Sequence, residues 1–131
     1  CKENFKITLD LRCPHDMDFD KMIEKFQTAC SNYQLNENHD IGKALYIDPK
    51  SKLVSTLHQA YVDVSGDTNS KPQAIGGGTY AKSMPNCVAF GAEFEGEDNF
   101  IHGNNENIKI DSLLKATEIY CHAIYNLIKA D

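Results

Sequence analysis

Phe5-Lys6-Ile7-Thr8-Leu9-Asp10-Leu11-Arg12-Cys13-Pro14 is the stretch whose reading decides the fold. Phe5, Ile7, Leu9, Leu11 and Cys13 alternate with Lys6, Thr8, Asp10 and Arg12. That period of two predicts a strand with one buried face and one polar face. Pro14, which has no amide hydrogen to donate to a ladder, ends it.

Working outward, Asp18 is a suitable N-cap for a segment in which Phe19, Met22, Ile23, Phe26, Cys30 and Tyr33 recur at helical spacing. Lys21, Glu24, Lys25 and Gln27 fill its other side. A polar turn over Asn36 to Asp40 follows, then Ala44-Leu45-Tyr46-Ile47 before Asp48-Pro49 reads as a second strand. Residues 5 to 48 thus form a predicted β-α-β unit. With two strands and one helix it has unpaired edges and an uncovered sheet face, so a further partner is expected.

Pro49 and Lys50-Ser51-Lys52 mark a change of unit. Leu53, Leu57, Ala60, Tyr61 and Val64 share one helical face, closed by Gly66 just past the end. Gln73-Ala74-Ile75 is a short predicted strand running into Gly76-Gly77-Gly78, and Val88-Ala89-Phe90 is another. Residues 91 to 110 read as a long polar loop. A last helix opens at Asp111-Ser112. In it Leu113, Leu114, Thr117, Tyr120, Cys121, Ile124, Leu127 and Ile128 lie within an arc of about 140° and are the expected core face.

The chain has 131 residues, 13 Lys plus Arg against 19 Asp plus Glu, and a net charge of −6. Its single arginine and acidic balance argue against a nucleic-acid partner, whose phosphates need clustered cations. No run of 18 apolar residues occurs, so no membrane span is expected. The five cysteines, at 1, 13, 30, 87 and 121, are odd in number and form no C-x-x-C pair, which suits reduced thiols in the cytoplasm. The opening Cys1-Lys2-Glu3-Asn4 has neither an initiator Met nor a secretory signal, and reads as a cut end.

Candidate chemistry is sparse. Gly76-Gly77-Gly78-Thr79-Tyr80-Ala81 matches G-x-G-x-x-[GA], but Pro85 falls where the second turn of a dinucleotide-binding helix would run. What remains is either a plain tight turn or a backbone able to aim amide groups at an anion. Arg12 is either solvated or a fork for a carboxylate. His102 stands in His102-Gly103-Asn104-Asn105-Glu106, and one loop histidine does not make a metal site. His58 and His122 fall on polar helix faces and read as solvated, while His15 and His39 sit in turns without an evident role. Cys13, Cys30 and Cys121 occupy core-facing positions and read as packing residues. Glu93, Glu95, Glu97 and Asp98 form either an acidic metal cluster or a solvated loop, and the solvated loop is the simpler account.

Taken in order, Leu9-Asp10-Leu11-Arg12-Cys13-Pro14, Ile75 to Lys82, Val88-Ala89-Phe90-Gly91, His102 to Glu106 and Ile110 to Thr117 resemble the carboxy-terminal part of the bacterial dipeptidase V enzymes. These are Xaa-His (carnosine-type) dipeptidases of the aminoacylase and carboxypeptidase G metallopeptidase superfamily. The resemblance implies an α/β (α+β) protein, in which residues 1–49 are the second half of a ferredoxin-like lid domain. Residues 50–131 would then be the carboxy-terminal part of a zinc-peptidase catalytic domain. It also implies two divalent metal ions, zinc or manganese, in the parent enzyme.

By resemblance His102 is the last metal ligand and Glu106 orients its loop from outside the coordination sphere. Arg12, with Gly77, Gly78 and Thr79, would bind the terminal carboxylate of a dipeptide substrate. Cys13 departs from the aromatic residue common between the arginine and the proline. The general-base glutamate, the lid histidine and the other metal ligands would lie upstream of residue 1, so this segment alone is expected to be inactive and to bind metal weakly at most. The competing expectations are a deacylase or aminopeptidase of the same superfamily, and a non-catalytic interaction module whose sheet pairs with a partner.

Overall fold

The computed structural model describes residues 5–34, 42, 44–91, 93–97 and 100–129. The expected turn at residues 36–40 with His39, Asp98 of the acidic run, and Cys1 lie outside the described residues. The chain divides into two compact units, one of Cys1–Tyr46 with Gly76–Gly78, the other of Ile47–Ile75 with Thr79–Asp131.

In the first unit, α1 spans Phe19–Ala29. Asp18 caps it as expected, its carboxylate accepting from the Lys21 amide at 3.1 Å. That hydrogen bond, reinforced by the Lys21 ammonium at 3.1 Å, holds the Asp18 carboxyl below its ordinary value. Phe19, Met22, Ile23, Phe26 and Cys30 are the half-buried face. The helix stops at Cys30, whose amide donates to the Phe26 carbonyl, and Tyr33 beyond it is exposed.

The expected strands are not formed. Among the described residues no strand is present, and the segments 5–13, 44–47, 73–75 and 88–90 carry no ladder. The described secondary structure is therefore helical where an α/β arrangement was expected. Phe5, Ile7, Leu9 and Leu11, expected on a buried face, are exposed, from 87% at Phe5 to 49% at Leu11. A helix closes its hydrogen bonds within its own segment, whereas a strand needs a neighbour for every second peptide. Alternation specifies a strand without supplying that neighbour.

In the second unit, α2 spans Lys52–Ser65 and α3 spans Ile110–Lys129. Ser51 caps α2, accepting from the Val54 amide, and Gly66 ends it in the left-handed region at φ 73° with its amide on the Val62 carbonyl. Only a residue without Cβ adopts that conformation freely. Asp111 in the first turn of α3 and Lys129 in the last complement the helix dipole. The two helices pack on small side chains: Ala60 is 0% exposed and Ala123 nearly so, and Leu57 belongs to the same buried cluster. Leu53, Val88, Phe90 and Leu127 close around this cluster.

The buried face of α3 is Ser112, Ala116, Ile119 and Ala123, rotated by roughly 120° from the expected core arc at 100° per residue. Of that arc, Leu127 joins the core and the Tyr120 ring meets Phe90 edge-on, while Leu113, Leu114, Ile124 and Ile128 are exposed. The reason is steric. Alanines let two helix backbones approach, and the larger aliphatics make a second apolar face that α2 does not reach. Cys121, expected in the core, lies on that exposed face, whereas Cys13, Cys30 and Cys87 are half-buried.

Candidate substrate- and metal-binding residues

Arg12 is held by two acceptors within the first unit. Its Nη1 donates to the Gly76 carbonyl at 2.5 Å, although the two residues are 64 positions apart, and its Nη2 donates to Asp10 Oδ2 at 3.0 Å. A Cβ built on Gly76 would lie 3.4 Å from Arg12 Cδ, so the absence of a side chain there lets the arginine stem lie against the loop. The guanidinium has five donors and spends one on each acceptor, which leaves others turned to solvent. Arg12 is thus solvent-exposed and at the same time tethered by the Gly76 carbonyl and Asp10.

Gly77 and Gly78 are exposed in the same unit, and nothing lies within 4 Å of a Cβ built on Gly78. Thr79 belongs to the second unit, where its Oγ1 accepts from the Ala81 amide at 3.1 Å and caps the 3₁₀ turn Tyr80–Ser83. That turn buries Ala81 and was not foreseen from sequence. The Thr79 hydroxyl keeps its own proton to donate, so capping does not exhaust it.

His102 and Glu106 are exposed residues of the second unit. The segment around His102 turns tightly, with the Gly103 amide donating to the Phe100 carbonyl at 2.7 Å. Phe100, His102 and Asn105 all have positive φ, at 53°, 58° and 62°, a conformation that costs a side-chain-bearing residue free energy. A Cβ on Gly103 would meet the Phe100 carbonyl oxygen at 2.9 Å, so glycine is required there. Among the described residues no three His, Cys, Asp or Glu side chains gather as a metal site needs. A single imidazole on a tight turn fits one corner of such a site and no more.

Two titratable groups, Glu97 and His58, depart from their sequence readings. Glu97 is not a solvated member of an acidic run: its Oε1 accepts from Ser112 Oγ at 2.6 Å and faces Lys109 Nζ at 3.6 Å, tying the loop to the start of α3. His58 is half-buried, with Nε2 2.9 Å from the Ser70 carbonyl. His15 lies in a turn as expected, and its ring stacks on Tyr46, centroids 3.9 Å apart and planes parallel. Glu93 and Glu95 are exposed as expected of a solvated loop, and His122 is exposed too.

Beside His58, Asp67 gathers four donors: Tyr61 Oη at 3.0 Å, the Asn69 amide at 2.9 Å, the Ser70 amide at 3.1 Å and the Ser70 hydroxyl. The Ser70 hydroxyl and these amides push the Asp67 carboxyl far below its ordinary value. Burial, and then Asp67 itself, push the Tyr61 phenol up. Sequence reading passed over this network because its members lie in a segment with no motif. Asp-Thr-Asn-Ser at 67–70 does, however, carry the signal of a side chain bonding amides two and three residues on.

Comparison with known proteins agrees with the resemblance. The profile of peptidase family M20/M25/M40 matches residues 7–126. The chain is 35% identical over 127 residues to a protein of Staphylococcus haemolyticus named "putative dipeptidase", covering 96% of this chain and 27% of that protein. It is 37% identical over 126 residues to a protein of the same name from Staphylococcus epidermidis, covering 94% and 26%. A Staphylococcus aureus protein, also so named, is 35% identical over 122 residues, covering 91% and 25%. The chain thus spans about a quarter of the length of these relatives. No solved structure gives a significant match. With the profile match running almost from end to end, the chain belongs to peptidase family M20/M25/M40.

Proposed function

We propose that this chain is the carboxy-terminal part of a metal-dependent dipeptidase, with residues 1–49 the second half of a ferredoxin-like lid and residues 50–131 the end of the catalytic domain. The names and partial coverage of the relatives support that reading. So do the exposed apolar residues at 5–11 and along α3, which the remaining amino-terminal part of the parent protein would cover. The observation that carries the substrate side is the tethering of the Arg12 guanidinium on the Gly76 carbonyl, beside Gly77 and Gly78.

In this reading the Arg12 guanidinium receives the terminal carboxylate of a dipeptide. Gly77 and Gly78 let substrate approach the backbone closely, and Thr79 adds a hydroxyl donor. His102 would hold one of two divalent ions, zinc or manganese, with Glu106 orienting its loop. Such ions supply Lewis-acid chemistry, polarising a carbonyl and lowering the pKa of water. In this reading the other ligands and the general base belong to the rest of the parent protein, and the segment alone would be inactive.

Arg12→Lys in the full-length enzyme tests the substrate side. Lysine keeps the charge but loses the fork. KM for dipeptides should rise about tenfold, the loss expected for a hydrogen bond between charged groups, while a dipeptide amidated at its carboxy terminus should change little. Equal losses on both substrates would defeat the assignment. Acyl-amino acids and tripeptides assayed beside them separate a dipeptidase from a deacylase or aminopeptidase.

A further inference from the structure

Resting on Arg12 as the grip for a ligand carboxylate, we propose that Asp10 is a built-in competitor for that grip, a specificity-setting residue whose carboxylate the ligand's own must displace. Asp10 Oδ2 lies 3.0 Å from Arg12 Nη2 and offers the fork what an incoming carboxylate would offer it. Two anions at one guanidinium repel each other, so Asp10 and the ligand exchange rather than bind together.

Three features make the exchange workable. The pair is open to water, with the Arg12 and Asp10 side chains 59% and 75% exposed, so the ion pair between them is weak and is displaced readily. The Gly76 carbonyl holds Nη1 independently of Asp10, which keeps the guanidinium aimed when Asp10 leaves. Asp10 and Arg12 meet across a spacing of two with both side chains exposed, so Asp10 has room to move aside by a change of rotamer without moving the backbone. The consequence falls on one class of ligand: a free carboxylate engages the fork only by displacing Asp10 and is weakened by it, whereas a neutral amide terminus, which does not take the fork, is not, so Asp10 moderates the preference for acid over amide.

Asp10→Asn tests this, because it keeps an acceptor oxygen and removes only the charge. In the full-length enzyme, KM for a dipeptide with a free carboxylate should fall about two- to fivefold, the range set by an exposed ion pair. The ratio of its KM to that of the amidated dipeptide should fall with it. Asp10→Ser, at the same exposed position, should act in the same direction. An unchanged KM would overturn the proposal, and a raised KM would show that Asp10 orients the arginine rather than competing for it. If Arg12→Lys fails to discriminate acid from amide, the reading of Arg12 itself has failed. If Arg12→Lys discriminates and Asp10→Asn does not lower KM, only the competitor role is lost.

Discussion

Gly76 accepts the Arg12 guanidinium on its carbonyl oxygen and at the same time leaves open the space beside the arginine stem, where a Cβ would stand 3.4 Å from Arg12 Cδ. The contact is tight, but its neighbour is part of a flexible side chain that can give by a few tenths of an ångström. Gly76→Ala should therefore leave stability within about 0.5 kcal/mol of the parent while displacing the fork. KM for free-carboxylate dipeptides should rise by about two- to fivefold, a loss of roughly half to one kcal/mol of binding. Thermal unfolding and steady-state kinetics on one preparation separate the two effects.

Gly103 faces a harder neighbour. A Cβ there would stand 2.9 Å from the Phe100 carbonyl oxygen, the same oxygen that accepts the Gly103 amide at 2.7 Å, and backbone does not yield as a side chain does. Gly103→Ala should open the Phe100–Gly103 turn at about 1–3 kcal/mol, the range of an overpacked site. Its effect should appear as lowered metal affinity of the full-length enzyme, measured by competition with a chromogenic chelator. Unchanged affinity would mean that the turn does not aim His102.

The Asp67 network makes a prediction in pH. Asp67 is held below its ordinary value, so it contributes stability that is fully present above the unfolded carboxylate value of about 4 and is lost as pH falls below it. Tyr61 is raised, so its contribution is present below the unfolded phenol value of about 10 and is lost as pH climbs through its own higher value. Hydrogen-exchange protection of the Ser70 amide, which donates to Asp67 at 3.1 Å, should weaken at both extremes. In Asp67→Asn the acid limb should disappear, and an acid limb that persists would place the titrating group elsewhere.

Local chemistry explains which parts of the fold were legible in the sequence. Asp18 and Gly66 mark helix ends through bonds made within four residues, and α1 and α2 lie where those signals put them. The buried face of α3 was misread because hydrophobicity alone favours Ile124 and Ile128, whereas contact with α2 selects Ala116 and Ala123 for their size. The strands failed for a related reason: the alternation from Phe5 to Cys13 states a preference, and no pairing partner stands beside it among the described residues. At the candidate site, the family resemblance and not residue type pointed to Arg12 and His102, and neither pointed to the Gly76 carbonyl, the Asp10 partner or the Ser70 carbonyl at His58. The two carbonyls lie on segments brought to their partners by folding, which spacing does not encode, whereas Asp10 stands only two residues from Arg12 and its pairing is local.

Metal content of the full-length enzyme is the most direct test of the central claim that this segment brings one ligand to a metal site. His102 is exposed, so His102→Ala should fold like the parent. Elemental analysis after purification in excess zinc should show about one equivalent fewer metal per chain, in a two-ion site that gives each ion three or four protein ligands, with dipeptide hydrolysis abolished. Full metal occupancy with hydrolysis retained would contradict the account.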